Sequence, residues 1–244
     1  MAAPDSPTPF DAWVPRLSGK PRADLRRALK WSEHLDALVN PTFVKEPDAL
    51  KTHLRDPSGI EVDGNGHAGL AVAVEWTADD GTSKGREFGW AGFKLNGRTR
   101  VCDFDTLWLV KDEQRAGFGS RYLEVLIDLC RELGIERIDI DAQDDGRYVW
   151  ARLGFAFKND ETRDDVVAAV KAFAEELGVE VPTDLDCVTS PSEIANLRGE
   201  VSFEAIARTG VPYSGEPGRT MPLGEALLLY APYYVWLGTM DVIK

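Results

Sequence analysis

Residues 106–130, which read TLWLVKDEQRAGFGSRYLEVLIDLC, constrain the fold more than any other stretch of the chain. An apolar, strand-like run is followed by two glycines two positions apart, and an amphipathic helical pattern begins directly after them. Glycine lets the backbone take dihedral angles that other residues avoid and lets it approach a ligand closely. The first turn of the following helix has unpaired N–H groups and a positive dipole end, which favour an anion. The segment therefore predicts a strand, a loop and a helix that can hold a phosphate group, or a plain structural turn.

The loop differs from two other glycine-rich loops that bind phosphate. No Gly-Lys-Ser or Gly-Lys-Thr run follows it, as a Walker loop requires, and the third glycine of the dinucleotide-binding fingerprint is missing. The loop alone does not name a ligand, so its meaning depends on the elements around it.

The segments on either side of the loop predict a mixed α/β domain. Leucines near helical spacing predict one amphipathic helix over 22–39, which ends at the Asn40-Pro41 pair. Asn96-Gly97 lies between two strand-like runs and is a strong hairpin signal. The expected elements, in chain order, are helices over 22–39 and 46–55, three antiparallel strands over 66–110, a helix over 117–133, a strand over 135–142 and a short helix closed by Gly154.

Residues 160–244 predict a long C-terminal extension that is continuous with the core. A helix is expected over 160–177, and SPSE at 190–193 has the pattern of a capping box that opens another helix ending near Gly199. Two apolar runs near the end predict late sheet strands: EALLLYAPYYVWL and GTMDVI. The predicted organisation is an extended arm over 1–20, an α/β core over 21–159 and the extension over 160–244.

The charge balance excludes one class of partner. The chain has 28 Lys and Arg against 41 Asp and Glu, a formal net charge of −13. Nucleic-acid binding needs a surface excess of Lys and Arg, so no nucleic-acid partner is expected. The acidic balance suits a cationic or amine-bearing partner, and a solvated acidic surface explains it equally well.

Cysteine and histidine positions argue against disulfides and metal sites. The cysteines are widely spaced and form no CxxC motif, which is typical of reduced thiols: Cys102, Cys130 and Cys187. The histidines show no metal-ligand spacing: His34, His53 and His67. The start of the chain has no secretory pattern, and no apolar run reaches the ~20 residues that cross a bilayer. These features predict a cytoplasmic protein without a metal or a membrane anchor.

Two motifs together resemble the GNAT superfamily of N-acetyltransferases. The run from Gln114 to Gly119, QRAGFG, fits the family signature Q/R-x-x-G-x-G/A, and the preceding LWLVKDEQ resembles the family's fourth strand and turn. After a helix and a strand, YVWARLGF resembles the second recurring segment of the family, a helix that ends in Leu-Gly-Phe. Two motifs at the family's spacing are more specific than either alone. The resemblance covers about residues 60–158.

The resemblance implies a mostly antiparallel sheet flanked by helices and a coenzyme A thioester as donor. Acetyl-CoA, or another acyl-CoA, is the implied co-substrate, and no metal is implied. Backbone N–H groups from Arg115 through Ser120 would hold the pyrophosphate, and the backbone of the preceding strand end would pair with the pantetheine arm. The implied binding residues are Leu109, Val110, Gln114, Arg115, Ala116, Gly117, Phe118, Gly119 and Ser120.

An amine must lose a proton before it attacks a thioester, so a carboxylate is the expected base. In the histone-modifying branch of the family a carboxylate on the fourth strand has this role, and the corresponding residue here is Asp103. Asp105 is expected on the same strand face, which Leu107 and Leu109 continue. The alternative is that both carboxylates lie on an exposed strand end and serve only as surface charges.

Two further features of the sequence bear on catalysis. Asp139 and Asp141, on the next strand, form a second acidic pair that would attract a cationic amine or only add to the net charge. The family often has a tyrosine four residues before the glycine of Leu-Gly-Phe, acting as acid toward the thiolate, but this chain has Trp150 there. Tyr148 is the nearest replacement, although it lies roughly 200° round the helix from that position.

The sequence therefore predicts an acyl-CoA-dependent N-acyltransferase that moves an acetyl group to an amine of a peptide, a protein or a small cationic molecule. The alternative is a GNAT-fold binding or interaction protein without catalytic activity, which Trp150 and the long extension favour. The acyl group, the acceptor and the oligomeric state stay open at this point.

Overall fold

The computed structural model describes residues 22–23, 25–30, 32–44, 50–55, 58–62, 68–78, 85–114, 117–181, 183–211, 218–231 and 235–243. The expected arm over 1–20 and the loop residues Arg115 and Ala116 therefore lie outside the described residues. The chain divides into two compact units, Met1–Ile138 with Asp241–Lys244, and Asp139–Met240.

The first unit is built on antiparallel strands. Its elements, in chain order, are β1 (Arg22–Ala23), α1 (Leu25–Ala28), α2 (Glu33–Val39), β2 (Leu50–Leu54), β3 (Gly59–Val62), β4 (Ala68–Ala78), β5 (Arg86–Asn96), β6 (Val101–Leu109) and α3 (Phe118–Leu133). The strand order is β1-β3-β4-β5-β6, with β2 paired to the other end of β4. Each of these pairings is antiparallel. The predicted mixed α/β class and the three successive strands of 66–110 are confirmed.

Helix α3 packs its apolar stripe against β4 and β6. Tyr122 is fully buried, and its ring stacks on Phe104 with centroids 5.8 Å apart. Trp76 meets the rings of Phe118 and Tyr122 edge-on at 5.5 and 5.9 Å. Gly134, in the left-handed conformation, ends the helix. The predicted helix over 117–133 is confirmed, because its apolar residues recur at the helical period.

Two predictions for the N-terminal part of this unit are wrong. The single helix expected over 22–39 is two short helices, because the step of six residues from Leu29 to Leu35 breaks the helical period and Ser32 begins a new helix there. The Ser32 hydroxyl accepts a hydrogen bond from the Leu35 N–H at 3.1 Å. The helix expected over 46–55 is strand β2 over its described residues, where exposure alternates along the chain.

The second unit continues strand β7 (Arg137–Ala142), which begins in the first unit. Its other elements, in chain order, are α4 (Gly146–Arg152), β8 (Ala156–Phe157), α5 (Asp160–Leu177), α6 (Pro191–Ala195), β9 (Glu200–Ser202), α7 (Phe203–Arg208), β10 (Thr220–Pro222), α8 (Leu223–Tyr230) and β11 (Trp236–Asp241). Strands β7, β11 and β8 are neighbours in that order, and β9 pairs with β10 separately. The predicted helix over 160–177 and the short helix closed by Gly154 are confirmed.

The predicted strand EALLLYAPYYVWL is wrong in its first half. Residues up to Tyr230 form α8, and among the described residues of this run the strand begins at Trp236. An apolar run without a clear period fits a buried helix as well as a buried strand, so periodicity could not separate the two. The helix at SPSE begins with Pro191 as expected but ends at Ala195, four residues before Gly199. Within the described ranges, no helix is long and apolar enough to cross a membrane.

Candidate functional site

The end of β6 and the loop after it form the first part of the candidate site. The Val110 N–H donates to the Phe88 carbonyl at 3.0 Å, so β6 stays paired with β5 up to this point. Along an antiparallel strand, the backbone N–H and C=O groups of successive residues point alternately toward the partner strand and away from it. Those of Leu109 therefore point away from β5. The Gln114 side-chain amide donates to the Leu109 carbonyl at 2.9 Å and closes the loop. That carbonyl has a second lone pair and can still accept from a ligand.

Gly117 is a glycine for reasons of backbone geometry. It is the N-cap of α3 and lies in the left-handed region, with φ 82°. Residues with a side chain rarely adopt this conformation, while glycine does so readily. No described atom would lie within 4 Å of a Cβ at this position, so the space beside it is open.

Gly119 is a glycine for a different reason. It lies inside α3 with ordinary helical backbone, and a Cβ there would meet only Leu107 Cδ2, at an ordinary 3.7 Å. A glycine inside a helix costs about 1 kcal/mol relative to alanine. Neither the backbone nor the packing of this chain requires that loss, so the bare Cα leaves room for a ligand against the first turn. This fits the close approach of a phosphate group.

The N terminus of α3 has no side-chain cap and no acidic residue in its first turn. The first hydrogen bond of the helix runs from the Arg121 N–H to the Gly117 carbonyl at 3.1 Å. The N–H groups of Phe118, Gly119 and Ser120 precede it and have no partner within the helix. Together with the positive end of the helix dipole, these three groups favour an anion.

Helix α5 shows the opposite arrangement. Its N-cap, Asn159, accepts a hydrogen bond from the Thr162 N–H at 2.8 Å. Asp160 and Glu161 supply negative charge in the first turn. The same chain therefore closes the N terminus of one long helix with its own side chains and leaves that of α3 open.

The start of α3 is fixed to the core of the first unit by Phe118. Its buried ring lies 5.1 Å from the Phe43 ring and 5.8 Å from the Phe88 ring, centroid to centroid. Ser120 is exposed at the same helix end. Arg121 pairs with Glu124 at 2.6 Å on the surface. Helix α3 is thus anchored through a buried side chain, while Ser120 in the same turn is exposed.

A β-bulge lies in β6 next to the predicted base. Gly92 pairs with Thr106 and Lys94 pairs with Asp103, so two residues of β6 oppose the single residue Phe93 of β5. An extra residue reverses the alternation of side chains beyond it. Bulges of this kind are found next to active sites, where they redirect a side chain.

The reversal changes which residues of β6 share a face. Phe104 packs on Tyr122 of α3, and Leu107, an odd number of residues later, also reaches α3 at Gly119. Simple alternation predicts that Leu107 lies on the same face of β6 as Asp103. The bulge places it on the opposite face. Sequence alone gave no signal of this, because the residue types of β6 read as one uninterrupted strand.

Both predicted carboxylates of β6 lie on its exposed side. Asp103 is exposed, and Asp105 forms an ion pair with Lys94 at 3.1 Å, with side chains 46% and 59% exposed. An ion pair this exposed contributes little to stability, about 0–1 kcal/mol. The two carboxylates are therefore accessible to solvent.

The second acidic pair has two different environments. Asp139 is buried, accepts a hydrogen bond from Thr239 Oγ1 at 2.9 Å and pairs with Lys158 Nζ at 2.9 Å. Asp141 is exposed on the same strand. Asp139 is thus a structural carboxylate whose charge is balanced inside the second unit.

Helix α4 carries the remaining predicted residue. Tyr148 is half-buried in the second unit and lines a cleft there. Trp150 is buried, and its ring meets Phe155 edge-on at 5.8 Å. A Cβ on Gly146 would lie 2.9 Å from Trp150 Nε1, so the glycine makes room for the indole. Trp150 is therefore a packing residue in this helix.

Comparison with known proteins gives a family match for one part of the chain. Residues 41–155 match the model of the Acetyltransferase (GNAT) family. No curated protein matches the chain. The chain is similar to the crystal structure of nourseothricin acetyltransferase, with 11% identity, a TM-score of 0.33 and coverage of 46% of this chain and 85% of that one.

Two bacterial structures show similarity of the same order. One is an acetyltransferase from Bacillus cereus ATCC 14579, with 17% identity, a TM-score of 0.30 and coverage of 37% of this chain and 61% of that one. The other is an acetyltransferase of the GNAT family from Staphylococcus aureus Mu50, with 18% identity, a TM-score of 0.28 and coverage of 36% and 57%. The resemblance seen in the sequence motifs is confirmed by the family match, which covers residues 41–155.

Proposed function

We propose that the chain is an acyl-CoA-dependent N-acyltransferase that moves an acetyl group from acetyl-CoA to an amine. Members of the GNAT family use acyl-CoA as co-substrate. One observation carries the proposal for this chain: the N terminus of α3 has no side-chain cap. The first-turn N–H groups have no partner within the helix, and neither backbone geometry nor packing requires the glycine at Gly119. This arrangement suits the pyrophosphate of coenzyme A.

The chain's own residues have three tasks in this reaction. The first turn of α3 binds the phosphates, and the backbone of Leu109, which points away from β5, orients the donor at the strand end. Bound acyl-CoA would supply a thioester carbonyl that an amine can attack, with the C–S bond breaking and the coenzyme A thiolate leaving. Asp103 or Asp105 accepts the proton that the amine nitrogen loses, directly or through water. Holding the reactants in position supplies much of the rate in such a reaction.

The acceptor in this proposal is an amine of a peptide, a protein or a small cationic molecule. Exposed carboxylates on β6 and the net charge of −13 favour a cationic acceptor over an anionic one. Asp139 is not part of this attraction, because Lys158 and Thr239 already occupy its carboxylate.

The test measures release of the free thiol from acetyl-CoA with a lysine peptide, a polyamine and an aminosugar as acceptors. Asp103→Asn and Asp105→Asn are compared with Asp128→Asn, a matched surface change on α3. The variant that removes the base is expected to lower kcat by roughly a hundredfold, the usual lower range for general-base catalysis. If both β6 variants turn over like Asp128→Asn, neither carboxylate is the base.

A second function is favoured by Trp150, which is buried where the family often has a tyrosine. On that account the chain is a GNAT-fold binding protein that holds acyl-CoA without transferring the acyl group. Binding of acetyl-CoA with no thiol release for any acceptor, and no acetylation detected by mass spectrometry, would favour this second function.

A further inference from the structure

A cleft in the second unit has no role in the proposed acyl transfer. It is a shallow depression, open to solvent, with a volume of about 440 Å³. One wall is the face of α4 that carries Tyr148 and Arg152, four residues apart. The other wall is the segment from Ala195 to Glu200, with Pro222 beside it.

The charge of this cleft is opposite to that of its surroundings. Residues 139–240 contain eight Lys and Arg against eighteen Asp and Glu, a net charge of −10. The cleft nevertheless has two arginines in its lining, Arg152 and Arg198, and one carboxylate, Glu200. Two of the eight cations of a strongly acidic unit therefore face the same small volume.

Neither arginine is neutralised by the part of the chain that the structure describes. Arg152 Nη1 donates to the neutral Asn196 Oδ1 at 2.7 Å, and Arg198 forms no ion pair among the described residues. The Glu200 carboxylate accepts from the Thr220 hydroxyl at 2.8 Å. By contrast, other cations of this unit pair with carboxylates: Lys158, Arg163 and Lys171.

Asn196 holds Arg152 in position without cancelling its charge. The Asn196 amide donates to the Ser192 carbonyl at 2.8 Å, so its oxygen is oriented toward the guanidinium. A guanidinium has five N–H donors, and this contact uses one nitrogen. The planar fork that remains matches a carboxylate, which it can bind with two parallel hydrogen bonds.

The rest of the lining suits an apolar body attached to the carboxylate. The Tyr148 ring is half-buried, and among the described residues its hydroxyl has no hydrogen-bond partner. Pro222 adds exposed apolar surface, and Ala195 and Leu197, which are themselves buried, complete the lining. The two arginines and Glu200 together carry one net positive charge, which a single carboxylate neutralises. A doubly charged phosphate would leave an excess of negative charge next to Glu200.

We propose that this cleft binds a small molecule with a carboxylate next to an aromatic or aliphatic group. Arg152 and Arg198 bind the carboxylate, and Tyr148 packs against the apolar part. The site stands on the second unit alone and does not depend on the chain being an acyltransferase. It also gives Tyr148 a role in binding in place of the acid role that its sequence position predicts.

The test uses N-acetylphenylalanine as probe, N-acetylphenylalaninamide as its uncharged match and phenyl phosphate as the phosphate arm. Binding to the full chain is measured by ligand-observed NMR and calorimetry. The acid is expected to bind roughly tenfold or more tightly than the amide, since hydrogen bonds to a charged group are stronger than those to a neutral one. Tighter binding of phenyl phosphate than of the acid would overturn the carboxylate assignment.

Arg198→Gln is the decisive variant, because Arg198 forms no hydrogen bond or ion pair within the part of the chain that the structure describes. It is expected to weaken binding of the acid roughly tenfold. The affinity of Arg198→Lys should lie between those of the parent and of Arg198→Gln. Arg208→Gln, outside the cleft, should bind the acid like the parent. Unfolding temperatures of the three variants provide the check on folding. Equal binding of acid and amide, no binding of either, or no effect of Arg198→Gln would overturn the proposal.

Discussion

The side-chain amide of Gln114 donates a hydrogen bond to the Leu109 carbonyl oxygen, 2.9 Å away. This bond joins the end of β6 to the loop that leads into α3, so the strand end and the open helix N terminus are held together by one side chain. It also gives Gln114 a structural task besides the one that its place in the family signature implies.

Gln114→Ala should therefore weaken acetyl-CoA binding without unfolding the chain. The loss of one neutral hydrogen bond is worth about 0.5–1.5 kcal/mol, or roughly two- to twelvefold in Kd. Calorimetric titration with acetyl-CoA measures the effect. Gln114→Glu should be worse than Gln114→Ala, because both lose the donor and the glutamate also places a negative charge beside the Leu109 carbonyl oxygen and near the phosphates. Equal affinity of all three proteins would contradict a positioning role.

Tyr122→Phe should stabilise the chain, against the usual trend for tyrosine in a core. The Tyr122 hydroxyl is buried and has no hydrogen-bond partner among the described residues. Burial and the neighbouring Cys102 thiol raise its pKa far above the usual range, so the group stays neutral. Removing an unpaired buried hydroxyl should raise the free energy of unfolding by about 1 kcal/mol.

Urea unfolding measures this change, with Tyr148→Phe at the half-buried α4 position as the matched control. A loss of stability in Tyr122→Phe that exceeds the loss in the control would mean that the hydroxyl has a partner after all.

Arg147→Ala should destabilise the second unit more than an ordinary surface substitution. The Arg147 guanidinium donates to the Leu229 and Ala231 carbonyls and so closes the C-terminal end of α8. Hydrogen bonds from a charged donor are worth about 1.5–3 kcal/mol, and the expected loss of unfolding free energy is of this order. Chemical denaturation of Arg147→Ala beside Arg208→Ala measures it. Similar midpoints for the two variants would rule out this role for Arg147.

Glu193 should make the stability of α6 depend on pH. The Thr189 hydroxyl and the nearby Ser190 groups donate hydrogen bonds to its carboxylate and lower its pKa. A pKa lowered by folding contributes stability above the unfolded value, about 4.3, and that stability is lost as the pH falls through the folded value. Glu193→Gln should therefore be less stable than the parent at pH 7, and the difference should shrink below pH 4.

Unfolding free energies of the two proteins from pH 7 to pH 3 test this sign. Because the carboxylate is largely exposed, solvent screens the effect and the difference should stay within about 1 kcal/mol. A difference that is constant across this range would show that the charge of Glu193 does not contribute.

Elements with a strong period were predictable from the sequence, while departures from a period were not. Helix α3 follows from apolar residues at helical spacing, and the hairpin of β5 and β6 follows from Asn96-Gly97. In that hairpin the Asn96 Oδ1 accepts from the N–H groups of Arg98 and Thr99 at 3.0 Å, which is the turn chemistry expected of asparagine.

The bulge in β6 and the helix α8 illustrate what the sequence could not reveal. A bulge leaves no mark on residue types, so the faces of Asp103 and Leu107 could not be separated without the register to β5. Helix α8 is apolar on several sides, so its sequence shows neither the 3.6-residue period of a half-exposed helix nor the two-residue period of a strand.

The candidate site was predictable in part for the same physical reason. Gly117 and Gly119 were visible because glycine at a strand-to-helix turn is a local signal. The grouping of Arg152 with Arg198 depends on how α4 packs beside the residues after α6, and that is tertiary information.

The most direct test of the central claim is a calorimetric titration of the chain and of Gly119→Glu with acetyl-CoA, with unfolding temperatures measured alongside. A glutamate in the first turn of α3 interacts favourably with the helix dipole and replaces a poor helix former, and its Cβ has room beside Leu107. The variant should therefore unfold at an equal or higher temperature while its carboxylate repels the phosphates.

Val235→Glu, which adds the same charge at an exposed position, is the control. The account predicts that the parent and Val235→Glu bind acetyl-CoA and that Gly119→Glu, folded and at least as stable, binds it at least roughly tenfold more weakly. Unchanged affinity of Gly119→Glu, or no binding of acetyl-CoA or longer acyl-CoAs by the parent, would contradict the assignment of α3 as the phosphate site.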